Sequence, residues 1–329
     1  MSYPFIQGKT LDDVTHDVFE EIMKHGRTVT ATKGPNRELS GVLLEILDPR
    51  ARLSRTETRG RVFSCLGELC WYLAGSRDGK FISYYLSHYA KSVEDQVVWG
   101  GYGPRLFGQG QFAQFETIIS LLRKKPSSRQ AVIQLFSPED LTGEHLDVPC
   151  TLTLQFFIRD NKLDLVACMR SNDAYRGLPH DVFAFTMLQE ILARTLDIEL
   201  GTYRHFVGSL HLYDEDAQAS EAFLGEGFQS TTKPMPQMPA GDPWESVRAL
   251  LEAESSIREA GDLGDGFFLS LHPYWQDLIR LLLIFKNTKG GNPAAAQSVG
   301  QSMSATVYDV FIEKRLQKYE VEESGNPVR

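Results

Sequence analysis

Cys150 follows Pro149 at the head of an apolar run, Thr151 to Ile158, that reads as a β-strand. Strand starts open onto clefts, and a cysteine there becomes a nucleophile when neighbouring cations lower its pKa. Arg170 and Arg129, each at the end of another strand, are the candidate cations. The alternative is a small inert thiol, the usual state of a free cysteine. Arg170-Ser171-Asn172-Asp173 sets two charges and two hydrogen-bonding groups side by side. Such a run is ordinary in a solvated turn. Here it continues through Gly177-Leu178-Pro179-His180-Asp181 into an apolar helix, which suits a ligand site better. Asp181 stands at the N-terminus of that helix, where a carboxylate either caps or reads a ligand. His211 and Tyr213, two apart on a strand, share a face and can reach one ligand oxygen; plain packing is the alternative. Glu68 lies within an apolar helical run. A carboxylate there costs several kcal/mol unless it is paired or faces a wet cavity, or else it sits on the solvent side.

The elements that must hold these groups follow from apolar spacing and turn chemistry. Thr10 to His25 has the spacing of a helix, with Thr10 and Asp13 as a capping pattern. Leu39 to Leu47 is a strand stopped by Asp48-Pro49, and Gly34-Pro35-Asn36-Arg37 before it reads as a turn carrying one cation. Gly60 to Ala74 is a helix, Gly100 to Arg105 a loop and Phe112 to Lys124 a helix. Ser127-Ser128-Arg129-Gln130 leads into a strand, Ala131 to Phe136. Strands Thr151 to Ile158 and Leu163 to Met169 are joined by a hairpin turn over Arg159 to Lys162. A helix over Asp181 to Leu196 and a strand over Tyr203 to Tyr213 complete the set. Residues 1–228 thus form a candidate catalytic domain. Pro234, Pro236, Pro239 and Pro243 make 229–243 a stiff connector, and 244–329 a helical extension packed on the same domain. That extension reads as helices over 243–260, 273–287 and 303–319, a flexible break over Gly290 to Gly300, and a tail from Glu320 that stays disordered unless it docks.

The 329 residues, 42% hydrophobic and 23% charged, suffice for a large core. A net charge of −9 argues against an extended nucleic-acid surface, which needs clustered Lys and Arg. The four cysteines form no CxxC pair and read as reduced, in a cytoplasmic protein. The N-terminus has no secretory pattern, and the most apolar stretch, Leu278 to Phe285, is too short to span a membrane. No spacing fits a metal site, a dinucleotide loop, a Walker loop or a GxSxG elbow.

In this order and spacing the motifs resemble the thymidylate synthase family over about residues 10 to 225. PCTLTLQFF resembles the family's PCH…QF strand, MRSNDAYRGLPHDV its QRS-x-D-xx-LGxPFN-x segment, and HLY its HxY strand end. GELCWYL resembles the ELLWFL helix, YGPRL the VYGxQW loop and PSSRQAVIQLF the PxSRR strand. The resemblance implies an α/β (α+β) domain with a large mixed sheet and surrounding helices, paired back to back as a homodimer. It implies a pyrimidine nucleoside monophosphate as substrate and 5,10-methylenetetrahydrofolate as the folate partner. By position, Cys150 would attack pyrimidine C6, and Arg170 and Ser171 would hold the phosphate beside Asn172. Arg129 would reach the neighbouring subunit's phosphate, and Arg37 would match an N-terminal phosphate arginine. Glu68 and Tyr102 would organise water and proton transfer, Asp173 would face the folate, and His211 with Tyr213 the sugar hydroxyl.

The chain departs from the pattern at Asp181, where the family has the asparagine of PFN. An amide donates to a uracil carbonyl and accepts from N3–H. A carboxylate accepts from the cytosine amino group and suits N3-protonated cytosine. The same replacement marks the cytidylate hydroxymethylase branch, in which water quenches the exocyclic methylene. The expectation is therefore folate-dependent 5-hydroxymethylation of CMP or dCMP. The alternatives are a methyltransferase acting on dUMP or dCMP, and a nucleotide-binding protein without catalysis. Gln130, Met169 and Thr151 also differ from the family's SRR, QRS and PCH positions.

Overall fold

The computed structural model describes residues 4–31, 33–54, 61–108, 113–227, 234–259, 261, 263, 267 and 270–323, with side chains to residue 317. The first half runs β1 (Phe5–Gly8), α1 (Leu11–His25), β2 (Arg27–Ala31), β3 (Gly34–Ile46), α2 (Val62–Leu73), α3 (Gly79–Tyr85), β4 (Val93–Glu94), β5 (Val97–Val98), α4 (Gly103–Phe107) and α5 (Gln114–Lys124). Then follow β6 (Val132–Gln134), β7 (Thr151–Arg159), β8 (Lys162–Asp173), α6 (Leu178–Thr195), β9 (Glu199–Tyr213), α7 (Ala217–Gly225), α8 (Trp244–Arg258), α9 (Pro273–Lys289), α10 (Pro293–Gln301) and α11 (Asp309–Glu323).

The expected large mixed sheet is present. Its order is β1-β3-β9-β8-β7-β6, with β2 also pairing β3; β1–β3 and β8–β9 are parallel and the other pairs antiparallel. Asp160 and Asn161, both at positive φ (48° and 58°), turn β7 into β8, a conformation that these short polar side chains tolerate. One sheet face supplies Val42, Leu44, Ile46, Leu154, Phe156, Leu165, Ala167, Tyr203 and Val207 to the core, all buried beneath the helices. The register aligns Leu43, Phe206, Cys168 and Thr153 across the other face, where Phe206 is 41% exposed. α1 begins as its capping box dictates: Thr10 Oγ1 accepts the Asp13 N–H and Asp13 Oδ2 accepts the Thr10 N–H, both at 3.1 Å. Its apolar stripe, Leu11, Val14, Val18, Phe19 and Ile22, is buried.

Several boundaries differ from expectation. Gly34 to Arg37 is not a turn but the first part of β3, paired with β2. α4 occupies the second half of the expected loop at Gly100 to Arg105. β6 is shorter than Ala131 to Phe136, whereas β8 runs on through Arg170–Asp173, the expected polar turn. α6 starts at Leu178, with Pro179 in its first turn, so Asp181 lies inside the helix rather than at its cap. Gly290 to Gly300 holds α10, capped by Asn292 Oδ1 accepting the Ala295 N–H at 3.1 Å. Residues 229–233 of the connector and 324–329 of the tail lie outside the described residues, as does Phe112.

The C-terminal helices lean on the helical layer. Tyr85 donates to Glu254 of α8 at 2.9 Å, and Arg258 pairs with Glu254 at 2.8 Å while covering the Phe81 ring at 4.1 Å. Arg52 and Glu190 form a fully buried ion pair at 2.6 Å, and Glu190 also accepts the Met238 N–H at 2.8 Å, tying the connector to α6. Among the described residues no helix is long and apolar enough to cross a membrane.

Candidate active site

Cys150 sits one residue before β7, and the end of β8 folds over it. Arg170 donates from Nε to the Pro149 carbonyl and from Nη2 to the Val148 carbonyl, each at 2.9 Å, and Nη2 lies 3.7 Å from Cys150 Sγ. The guanidinium therefore braces the segment that carries the thiol. Burial raises the thiol pKa, Asp181 and Asp147 add to that, and Arg170 and Lys33 oppose it. The resting sulfur is a thiol with cations at hand, so ionisation waits on a change in its surroundings. Behind it the Tyr102 oxygen accepts from the Thr151 N–H at 3.1 Å and the Thr151 hydroxyl at 2.9 Å. Both lone pairs are used, and burial with the nearby Asp181 and Cys150 holds the phenol protonated. Tyr102 is left as a donor.

Asp181 and Asn172 make the second part. The buried Asn172 Nδ2 lies 3.0 Å from Asp181 Oδ2, 3.2 Å from His205 Nε2 and 2.8 Å from Met169 Sδ, and Tyr203 closes the chain on His205 Nδ1 at 2.6 Å. Burial lowers the His205 pKa to about 3, so this imidazole is neutral. Burial, and then the Glu68 carboxylate, push the Asp181 pKa up to about 8 against the opposing pull of His180 and Asn172. At neutral pH Asp181 mostly holds a proton.

Glu68 is not on the solvent face. It is 4% exposed, and its Oε1 accepts from Tyr89 at 2.9 Å and Tyr72 at 3.1 Å. Its Oε2 lies 2.7 Å from His180 Nδ1. Burial opposes its charge, but His180 and the two hydroxyls outweigh that and lower its pKa. For His180, burial acts downward, yet the Cys65 sulfur and Glu68 raise the pKa to about 10. The pair is an imidazolium on a carboxylate, with its charges satisfied inside the protein.

The sheet register sorts the remaining candidates. Arg27, Glu38, His211 and Asp173 are successive partners across β2, β3, β9 and β8, so they share one face. Ser171 pairs with Ser209 two residues along, and Tyr213 with the buried Asn36. The His211 and Tyr213 rings meet edge to face at 5.0 Å. Asp173 Oδ1 accepts the Tyr175 and Arg176 N–H groups, each at 2.8 Å, which leaves Oδ2 for a ligand donor. Arg37 instead pairs with Leu212 on the opposite face, and its Nη1 donates to the Met23 carbonyl of α1 at 2.9 Å. Arg27 and Arg37 thus lie on opposite faces of this part of the sheet, Arg27 on the His211 side. Arg129 is exposed before the edge strand β6, and no hydrogen bond among the described residues joins its guanidinium to Cys150. His180, Tyr89, Lys33 and Arg27 are the members that sequence reasoning passed over. His180 was visible in the motif beside Asp181, whereas the other three needed the fold. Among the described residues no group of three His, Cys, Asp or Glu side chains is placed to hold a metal ion.

The arrangement offers a nucleophile, a cation beside it, a buried acid fixed by an amide, and a fixed anion ringed by hydroxyls. The family model described as Thymidylate synthase matches residues 16–240. Deoxyuridylate hydroxymethyltransferase of Bacillus phage SP01 is 28% identical over 254 residues, 68% of this chain and 66% of that protein. The protein of the same name from Delftia phage PhiW-14 is 28% identical over 272 residues, 74% of this chain and 73% of its own. Thymidylate synthase of Bacillus licheniformis is 33% identical over 127 residues, 37% of this chain and 45% of its own. The chain thus spans just under two thirds of the first of these relatives and under half of the third.

Proposed function

We propose that this chain, which belongs to the thymidylate synthase family, transfers a one-carbon unit to C5 of a cytidine monophosphate and releases the 5-hydroxymethyl product. The observation that carries the reading is Asp181: a proton-bearing carboxyl, fixed by Asn172, in the cluster that holds Cys150. Cytosine presents a bare acceptor at N3 and an amino group at C4. The Asp181 proton shared with N3, and the other carboxyl oxygen accepting from the amino group, satisfy both. The Cys150 sulfur adds at C6, and the electron pair flows through C5 and C4 towards N3, where that proton meets it. Arg170 supports the thiolate on its approach, and Ser171 with Arg170 and Arg27 faces the phosphate. His211 and Tyr213 meet the sugar.

5,10-Methylenetetrahydrofolate supplies the carbon at formaldehyde level. The free Oδ2 of Asp173, whose other oxygen is held by two backbone amides, fits the N–H edge of a pterin. Glu68, fixed by Tyr72, Tyr89 and His180, orients water beside the reacting carbon, and Tyr102 donates a hydrogen bond from the Cys150 side. We also place Arg129 in the partner's phosphate site. The half-exposed face around Phe206 is where two copies meet, as a homodimer.

A second reading has its own support. A protonated Asp181 can donate to a uracil O4 and accept from N3–H much as an amide does, and two relatives are named for deoxyuridylate. Side-by-side turnover of CMP, dCMP, UMP and dUMP with methylenetetrahydrofolate, read by product mass and by dihydrofolate absorbance, decides between them. A 5-hydroxymethylcytidylate without dihydrofolate is the expected result. A methyl product accompanied by dihydrofolate overturns hydroxymethylation, and turnover of uridylates alone overturns the base assignment.

A further inference from the structure

His205 is a buried titratable side chain that the mechanism above leaves unused. It stands on β9 beneath the helical layer, two residues from Tyr203 and on the same face of the strand, and both rings are wholly buried. Burial keeps the imidazole neutral, so one ring nitrogen carries a proton and the other is bare. Nε2 lies 3.2 Å from Asn172 Nδ2, and Nδ1 lies 2.6 Å from the Tyr203 oxygen. The same Asn172 nitrogen lies 3.0 Å from Asp181 Oδ2, so one end of one amide bridges the imidazole and the carboxyl. That bridge allows two settings. With the amide nitrogen at the shared place, Nε2 and Oδ2 are both bare, and the Asp181 proton sits on Oδ1. With the amide oxygen there, Nε2 and Oδ2 both carry protons, and Oδ1 is bare. Any mixture sets two buried donors or two buried acceptors against each other. The structure holds the first setting, although it leaves Asn172 Oδ1 buried without a partner. The Met169 sulfur, an acceptor only, lies 2.8 Å from the same nitrogen and favours it over an oxygen. An orientation that strands a buried oxygen needs something further to hold it.

Resting on the cytidylate reading, we propose that His205 is a positioning residue: with Nδ1–H given to the Tyr203 oxygen, its bare Nε2 fixes the Asn172 amide and so keeps the Asp181 proton on Oδ1, the oxygen left for the base. The proposed reaction needs that setting. When the Cys150 thiolate adds at C6, the ring pair moves to N3 and takes the proton from Oδ1, and the O–H bonding pair stays on Asp181 as a carboxylate. Oδ2 of that anion keeps the Asn172 N–H as a donor. In the reverse setting the proton lies between Oδ2 and the Asn172 oxygen, turned away from N3, and its loss sets an amide oxygen against an anion. The groups around the Asp181 carboxyl are Glu68 and Tyr72 on α2, Tyr102 ahead of α4, Cys150, Asp173 on β8 and His180 on α6. They set how tightly the proton is held, whereas His205 sets which oxygen holds it.

The test reads the tautomer and the base preference. Nitrogen NMR of protein carrying isotope-labelled histidine, with the His205 signals assigned by their loss in His205→Gln, should show a protonated Nδ1 and a bare Nε2; a protonated Nε2 overturns the proposal. Tyr203→Phe removes the oxygen that takes Nδ1–H, so the ring should shift its proton to Nε2, and kcat/KM for cytidylate relative to uridylate should fall about tenfold or more. His205→Leu should lower that ratio similarly and move the high-pH limb of cytidylate turnover upward, because the Asp181 anion loses a donor. His205→Gln, whose carbonyl can take the Asn172 N–H, should recover most of the ratio and return the limb. A fall that glutamine does not relieve, with the limb in place, marks a packing defect and overturns the proposal. A ratio within about threefold of wild type in Tyr203→Phe, or in a folded His205→Leu, overturns it as well. Should His205→Leu not melt cooperatively, Tyr203→Phe and the tautomer decide. Wild-type protein that turns over uridylates alone sinks the cytidylate reading and the proposal resting on it. The expected wild-type preference with indifferent variants sinks the role of His205 alone.

Discussion

Replacing Asp181 by Asn tests the base assignment with a change of one atom type. Asn172 Nδ2 donates to Asp181 Oδ2 at 3.0 Å, so the carboxamide of Asp181→Asn turns its oxygen to that place and its NH2 to the other. The amide can donate to a uracil O4, but it has no proton to give up to cytosine N3 when sulfur adds at C6. A buried polar group left mispaired costs about 1–3 kcal/mol, and two such groups about 2–6 kcal/mol. At about 1.4 kcal/mol per decade, kcat/KM for cytidylate relative to uridylate should fall by about thirtyfold to about twenty-thousandfold. The loss should appear mainly in kcat for the cytidine nucleotide, because N3 is protonated as sulfur adds rather than as the base docks. The assay is tritium release from C5-labelled CMP, dCMP, UMP and dUMP by wild-type and variant protein, with thermal melts to show that both fold. A preference ratio within about threefold of wild type would refute the reasoning, since no reader of the C4 and N3 edge can lose its exchangeable proton unnoticed.

Cys150→Ser should abolish tritium release while leaving the melting temperature nearly unchanged, because the sulfur is only partly buried and supports no core contact that oxygen cannot keep; retained turnover removes the central claim. The Asp181 pKa is raised by folding to about 8, so its proton is present below that pH and lost above it. kcat/KM for cytidylate should therefore fall about tenfold per pH unit above about pH 8, and Asp181→Asn should abolish that limb of the profile. Arg27→Ala should raise KM for the nucleotide about tenfold or more, whereas Arg37→Ala, bonded to the Met23 carbonyl on the other face, should change it little; steady-state kinetics of the pair separate the two faces. Mixing Cys150→Ser with Arg129→Ala protein should restore up to about one quarter of wild-type activity if each site is built from two chains, and no recovery rules that out. Arg52→Ala strands the Glu190 carboxylate in the core and should cost about 3–5 kcal/mol, read by chemical denaturation.

What could be read from the sequence, and what could not, divides by range. Thr10 with Asp13, and Asp160-Asn161 between two strands, are local devices, and their geometry follows from neighbours in the chain. Gly34-Pro35-Asn36-Arg37 has the residues of a turn, but β2 pairs with it and makes it a strand. That pairing decides which arginine lies on the His211 face. A register shifted by one residue would put Arg37 rather than Arg27 on the His211 face, and no property of either residue reports the register. Arg170 to Asp173 reads in sequence as a polar turn for a similar reason. Its polar groups find partners in the Cys150 segment, in α6 and in β9, none of them adjacent in sequence. Glu68 and His180 show the limit most clearly. Either one alone in an apolar run reads as an expensive charge, and only their meeting at 2.7 Å turns two costs into a fixed ion pair. The residue types around Cys150 thus announce a kind of chemistry, while the long-range pairs set the protonation state of each group. Asp181 is an acid rather than an anion because of burial and a carboxylate on another helix, and the base reading proposed for it depends on that state.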